Sequence, residues 1–145
     1  MVHLLIGGEG NSQKSKMKSN VVDLLSKSEK VCIVCFESDV DYYTKMHWRS
    51  RKYHIEDVDH VIIRSPLTIV SFPEQSLNEG KIIDPNLINR LFYKGFTSIF
   101  IDESQDILKG FIISDGLDTF INNVNSKFKD VQVTIACQQF KQLIQ

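Results

Sequence analysis

Near its start the sequence reads Leu4-Leu5-Ile6-Gly7-Gly8-Glu9-Gly10-Asn11-Ser12-Gln13-Lys14-Ser15. The apolar run that begins at Val2 and stops at glycine is typical of a strand buried on both faces of a parallel sheet. Beyond Ser15, Met17, Val21 and Leu25 recur among lysines at helical spacing, which predicts an amphipathic helix. The stretch therefore predicts a strand, a glycine-rich loop and a helix, in that order.

The loop has the length of the phosphate-binding pattern G-x-x-x-x-G-K-[ST], with Gln13 in place of the second glycine. In that pattern, backbone N–H groups and a helix N-terminus surround the phosphates, the lysine neutralises charge and the hydroxyl holds Mg²⁺. The candidate nucleotide-binding residues are Gly8, Glu9, Gly10, Asn11, Ser12, Gln13, Lys14 and Ser15.

Two readings of this loop stay open. A glycine before the lysine lets the backbone approach a phosphate closely, whereas a glutamine crowds it or needs a different dihedral angle. The same residues also fit a plain glycine-rich turn followed by a lysine-rich helix start. The departure at Gln13 bears on catalysis more than on binding.

The rest of the chain alternates strands with helices. Apolar runs predict strands at residues 31–36, 60–64, 67–72, 98–101 and 131–137. Helices are predicted from about residue 39, from the Asp84-Pro85 opening until Gly95, and over about residues 115–128. This alternation predicts one α/β domain over residues 1–145, a three-layer sandwich with a mostly parallel central sheet.

Composition sets limits on function. The chain has 145 residues and a formal net charge of -1, so nucleic-acid binding would need a local basic patch. Three cysteines and no secretory leader pattern favour a reducing compartment. No apolar run approaches the roughly 20 residues of a membrane span. We expect a cytoplasmic protein without membrane contact.

A second candidate site follows the apolar run Ile99-Phe100-Ile101, which leads directly into Asp102 and Glu103. An aspartate at the carboxyl end of a strand can hold Mg²⁺, and the next glutamate can activate a water beside a phosphate. In a parallel sheet, ligands bind at the edge where both acids would lie. The alternative is a pair of acids that caps the next helix.

Together these segments resemble a known family. Residues 8–15 look like a degenerate Walker A motif and residues 99–103 like a Walker B motif, as in P-loop NTPases of the RecA-like or additional-strand type. The run Ile101-Asp102-Glu103-Ser104-Gln105-Asp106 is similar to the D-E-x-Q-D segment of superfamily 1 helicases and to the acidic motif of phage and viral packaging or assembly ATPases.

The resemblance implies an ATPase with ATP and Mg²⁺ as cofactors, working in DNA processing or packaging, in the host cytoplasm if the protein is viral. It implies Lys14 at the phosphates, Ser15 and Asp102 at Mg²⁺, and Glu103 as the catalytic carboxylate. In these families a polar residue after the next strand senses the γ-phosphate, and Gln138 is the matching residue. A non-catalytic binding or assembly module is the alternative function.

A third feature is the cluster His47-Trp48-Arg49-Ser50-Arg51-Lys52-Tyr53-His54. Cations mixed with aromatic rings can contact phosphates and stack on unpaired bases, so Arg49, Arg51 and Lys52 are candidate nucleic-acid contacts. The alternative is the exposed end of a helix whose Trp48 packs inward. In a homo-oligomer, Arg49 or Arg51 could also act on a neighbour's nucleotide.

Cys32 and Cys35 have C-x-x-C spacing but lie within one apolar run. Residues three apart in a strand face opposite sides, and no second pair completes a zinc site. We expect both to be core residues.

Overall fold

The computed structural model of the chain describes residues 2–6, 12–73, 85–102 and 117–137. Its strands are β1 (Val2–Ile6), β2 (Val31–Phe36), β3 (Arg51–His54), β4 (Leu67–Phe72), β5 (Ser98–Ile101) and β6 (Gln132–Cys137). They form a six-stranded sheet in the order β1-β6-β5-β2-β4-β3, and every neighbouring pair is parallel. The predicted α/β class with a parallel sheet is confirmed.

Helical segments connect these strands, as parallel pairing requires. The α-helices are α1 (Ser12–Ser26), α2 (Val40–Thr44), α3 (Pro85–Phe92) and α4 (Leu117–Lys127). Two 3₁₀ segments, Glu37–Asp39 and Ile55–His60, follow β2 and β3. No helix among the described residues is long and apolar enough to cross a membrane.

The sheet has an apolar cluster on each face. Because successive side chains of a strand point to opposite sides, β2 sends Cys32 and Val34 to one cluster and Ile33 and Cys35 to the other. Both clusters contain helical residues, so helices cover both faces. The first, here called the α3 face, includes Ile88, Leu91, Phe92 and Val124; the second, the α1 face, includes Met17, Val21, Tyr43 and Phe100.

Helix α3 shows how local sequence sets an element. It begins at Pro85, as predicted, because proline fits the first helical position. Ile88 and Leu91 are fully buried, and burying each side chain stabilises the fold by about 1.5–3 kcal/mol. Shortly after the helix, Gly95 has φ +100°, a backbone conformation that favours glycine.

Two parts of the strand prediction were wrong. Residues 60–64 are not a strand: His60 ends a 3₁₀ segment, and residues 61–64 form an irregular connection in which Val61 is buried but Ile62 is 52% exposed. Conversely, Arg51–His54 forms β3, which the sequence did not indicate. β3 pairs with β4 alone among the described strands and its residues are mostly exposed, so it lacks the apolar signature of the inner strands.

Candidate functional site

Three predicted site segments follow strands that are neighbours in the sheet. Strand β6 lies between β1 and β5, and the register pairs Ile6 with Cys137 and Ile101 with Ile135. Because the strands are parallel, their carboxyl ends lie at one edge, here called the carboxyl edge. The positions that precede Gly7, Asp102 and Gln138 in the sequence therefore lie on three adjacent strands at a common edge.

Asp102 lies at this edge, directly after β5, and is fully buried. Its backbone N–H donates a 2.8 Å hydrogen bond to the carbonyl oxygen of Val34, which extends the pairing of β5 with β2 by one residue. Its carboxylate Oδ2 accepts a 2.5 Å hydrogen bond from the hydroxyl of Tyr43. A carboxylate taken out of water in this way requires such partners.

Tyr43 was missed by the sequence analysis. The chain turns after β2 through the 3₁₀ segment Glu37–Asp39 into α2, which carries Tyr43 to the α1 face of the sheet. Burial raises the pKa of the Tyr43 hydroxyl far above its ordinary value, and the negative charge of Asp102 and the hydrogen bond to it act in the same direction. Tyr43 is therefore a neutral hydrogen-bond donor to Asp102.

Helix α1 begins at Ser12, so Ser12, Gln13, Lys14 and Ser15 form its first turn. Ser15 is exposed, and further along the helix Met17 and Val21 are fully buried in the cluster that contains Tyr43 and Phe100. Of the non-glycine residues that the structure describes, Ser28 alone has a positive φ. Gln13 thus has an ordinary helical backbone and needs no glycine-like dihedral angle.

The structure covers only part of the predicted site. Gly8, Glu9, Gly10, Asn11, Glu103 and Gln138 lie outside the described residues. Of the side chains predicted to form the nucleotide and magnesium site, those of Ser15 and Asp102 are described. The assignments for residues 8–15, Asp102, Glu103 and Gln138 therefore stay predictions.

The chemistry of Ser15 and Asp102 fits a magnesium ion. No group of three or more His, Cys, Asp or Glu side chains able to hold a metal occurs within the described residues. Mg²⁺ prefers oxygen ligands and is usually held by one or two carboxylates with phosphate oxygens and water. A hydroxyl and a carboxylate each offer oxygen atoms of the kind that Mg²⁺ prefers.

A cleft of about 430 Å³ opens further along the carboxyl edge, at the ends of β2, β3 and β4. Ser71 and His54 are opposite each other in the register and line it, together with Glu37, whose carboxylate lies 3.2 Å from Nδ1 of His54. Val40 of α2 also lines this cleft, whereas Tyr43 of the same helix reaches Asp102. Helix α2 therefore contacts both the cleft and the buried carboxylate.

In the basic cluster of residues 47–54, the alternative that Trp48 packs inward was wrong. Trp48 is 88% exposed, so its ring does not pack into the core. The His47 ring stacks beside it, with centroids 6.1 Å apart and planes 16° apart, and the Arg49 guanidinium lies 5.6 Å from the Trp48 ring centroid. Arg49, Arg51 and Lys52 are all exposed.

The cysteine prediction is confirmed for the pair that the structure describes. Cys32 and Cys35 are fully buried and belong to clusters on opposite faces of the sheet. Burial raises the pKa of the Cys32 thiol strongly. Such a thiol is a core residue and not a nucleophile or metal ligand.

Comparisons of the chain with protein-family models, with curated proteins and with solved structures found no match.

Proposed function

We propose that this chain is a nucleotide-binding domain of the P-loop ATPase type that acts on or near nucleic acid. The observation that supports this most strongly is the strand order β1-β6-β5. In the additional-strand P-loop NTPases that the sequence resembles, one strand separates the strand before Walker A from the strand before Walker B. Here β6 separates β1 from β5, with all three parallel.

The proposed roles follow from position and chemistry. Lys14, in the first turn of α1, would neutralise the terminal phosphates, and amide groups at the helix N-terminus would receive them. Ser15 and Asp102 would hold Mg²⁺, which when bound neutralises phosphate charge. Glu103, the residue after Asp102, would accept a proton from the attacking water. Gln138, directly after β6, would contact the γ-phosphate.

The backbone at Gln13 removes one objection to nucleotide binding. A glycine is needed at a loop position when the backbone must adopt a positive φ. Gln13 lies in a regular helical turn, where glutamine is favourable. The consequence of Gln13 is then confined to the space that its side chain takes near a phosphate.

A second function, a non-catalytic binding or assembly module, rests on two observations. Gln13 replaces the glycine of the phosphate-binding pattern. In addition, Asp102 already accepts a hydrogen bond from Tyr43 in this structure, so a metal ion would share this carboxylate with the tyrosine hydroxyl.

A role in phage, viral or mobile-element DNA packaging extends the first proposal, the ATPase, and rests on the resemblance of the acidic motif.

Calorimetric titration with Mg·ATP tests the proposal directly. The wild-type chain is compared with Lys14→Ala and with Lys16→Ala, a matched control that removes an exposed lysine two residues later on the same helix. We expect wild type and Lys16→Ala to bind alike, and Lys14→Ala to lose at least tenfold in affinity. Bound nucleotide must also raise the melting temperature, because a ligand of the folded state stabilises it.

Hydrolysis separates the two functions. In an ATPase, Glu103→Gln keeps Mg·ATP binding and abolishes turnover. Binding without any turnover in the wild type would favour the non-catalytic module. Absence of binding to ATP, ADP and GTP, or equal hydrolysis by wild type and Glu103→Gln, would contradict the ATPase proposal.

A further inference from the structure

The segment between α2 and β3 carries an exposed tryptophan flanked by cations. Lys45, Arg49, Arg51 and Lys52 are all exposed, and residues 42–55 contain no aspartate or glutamate. In a chain of net charge -1, this is a local concentration of positive charge. We define the Trp48 platform as His47, Trp48, Arg49 and Arg51. Lys52, the next residue of β3, faces the other side of the sheet and lines the cleft at the carboxyl edge.

Burial does not explain why Trp48 is here. Large aromatic side chains normally bury most of their surface in the core or in an interface. Trp48 is 88% exposed, whereas Met46, two residues before it, packs against the α1-face cluster. The chain is thus anchored on one side of Trp48 while the indole ring projects into solvent.

Local contacts hold the platform in shape. The backbone N–H of Arg49 donates a 3.0 Å hydrogen bond to Nδ1 of His47, and the hydroxyl of Ser50 donates a 3.1 Å hydrogen bond to the carbonyl oxygen of Thr44 at the end of α2. Arg49 Nη2 lies 3.5 Å from the carbonyl oxygen of Arg64. An anchored aromatic ring loses less conformational freedom on binding than a mobile one.

Edge protection accounts for only part of this charge. β3 pairs on one side with β4 in the described sheet, and cations on such a strand oppose pairing with other chains. That argument covers Arg51 and Lys52, which belong to β3. It does not cover Trp48 and Arg49, which precede the strand, and an exposed tryptophan is not a residue that discourages association.

We propose that the Trp48 platform binds single-stranded nucleic acid, with an unpaired base stacked on Trp48 and phosphates held by Arg49 and Arg51. Every base offers a flat face for stacking, and cations beside an aromatic ring match the alternation of base and phosphate along one strand. A duplex hides its base faces in the helix stack. The platform therefore selects unpaired strands.

The position of the platform separates it from the nucleotide site. Register places Arg51 opposite Thr68, near the start of β4, and Trp48 precedes Arg51. Asp102 lies at the opposite, carboxyl edge of the sheet and three strands further in, because β2 and β4 lie between β5 and β3. This inference specifies the partner in the proposed function, but its chemistry does not use the ATP site.

The test uses the full chain without nucleotide. Trp48 is the single tryptophan, so its fluorescence reports on the platform alone. We expect a 20-nucleotide oligo(dT) to quench this emission saturably and a duplex of equal length to quench it less. In anisotropy titrations with the labelled oligonucleotide, Trp48→Ala should weaken binding roughly 5- to 150-fold, the range for loss of one stacked base. Trp48→Phe should restore much of it.

A charge-matched pair of variants tests the phosphate contacts. Arg49→Ala with Arg51→Ala should lower the slope of log affinity against log salt by about 1.4, since each phosphate contact in single strands contributes about 0.7. Lys127→Ala with Lys129→Ala removes the same charge from exposed positions in and after α4 and should leave the slope unchanged. Unfolding midpoints confirm that all variants are folded.

Several results would overturn the inference: equal affinity of wild type and Trp48→Ala, equal or tighter duplex binding, an equal salt effect in both double variants, or no oligonucleotide binding. The Lys14→Ala variant, in which we expect ATP binding to be lost, should bind the oligonucleotide as tightly as wild type. This control keeps the test independent of the ATP site. Oligonucleotide binding without ATP binding would leave the platform standing and reject the proposed function. If ATP binding depends on Lys14 and the oligonucleotide does not bind, the proposed nucleotide binding is supported and the platform inference is rejected.

Discussion

The hydroxyl of Tyr43 donates a hydrogen bond to the carboxylate of Asp102 across 59 positions of sequence, inside the α1 face of the sheet. The contact joins α2 to the carboxyl end of β5. It holds a fully buried acid at the edge where ligands bind in parallel α/β sheets. Tyr43 therefore both stabilises the fold and helps position the candidate metal ligand.

Replacing Tyr43 with phenylalanine should destabilise the protein by about 1–3 kcal/mol, because it leaves the buried Asp102 carboxylate without this donor. Urea unfolding measures the change. Tyr93→Phe makes the same chemical change on a ring that is 72% exposed and should alter stability by less than about 0.5 kcal/mol. Equal effects of the two variants would contradict a structural role for the hydrogen bond.

The same pair predicts a pH dependence. The pKa of Tyr43 in the folded protein lies well above its ordinary value of 10.0. Above about pH 10 the unfolded chain therefore releases this proton while the folded chain keeps it, and stability falls by about 1.4 kcal/mol per pH unit from this group. Tyr43→Phe lacks this contribution. The difference in unfolding free energy between wild type and variant should shrink from about pH 9 to pH 11, and parallel curves would refute the prediction.

Asp102→Asn tests the metal assignment with little change of shape, since the amide oxygen can still accept the hydrogen bond from Tyr43. We expect wild type to bind ATP more tightly with Mg²⁺ than with a chelator present. In Asp102→Asn that ratio should approach one, while binding in chelator stays near the wild-type value. Titrations under both conditions measure the ratio, and an unchanged ratio would remove Asp102 from the magnesium site.

The thiols of Cys32 and Cys35 should resist modification in the folded state, because both are fully buried and burial raises the pKa of Cys32. A Cys137→Ser variant leaves only these two of the three cysteines. A thiol reagent should react with neither within minutes in buffer and with both in denaturant. Rapid reaction of the native variant would show that the central strand β2 opens readily.

Thr68 offers a way to stabilise the protein. Its buried hydroxyl has no hydrogen-bond partner among the described residues, so its desolvation is uncompensated. Thr68→Val has nearly the same shape and should raise the free energy of unfolding by about 1 kcal/mol. The matched change Thr97→Val removes a hydroxyl that forms hydrogen bonds with the backbone of Lys30. This change should lower the free energy of unfolding. A loss of stability in Thr68→Val would contradict this account.

Local sequence was enough to predict the inner strands and the main helices. Val31–Phe36 and Leu67–Phe72 are apolar runs buried from both sides, and their type follows from composition over a few residues. The opposite orientations of Cys32 and Cys35 follow from the two-residue period of a strand. Residues 60–64 were misread because a short apolar run also occurs in irregular segments: here Val61 is buried while Ile62 is exposed.

The sequence by itself determined the α/β class, the strands that precede Gly7 and Asp102, and the presence of a helix after the glycine-rich loop. These features depend on patterns within one or two turns or strands. Only the tertiary structure decided that β6 separates β1 from β5, that Tyr43 meets Asp102, and that Trp48 faces solvent. Strand order and side-chain partners are set by how distant segments pack together, and no local pattern encodes which of several compatible partners a segment meets.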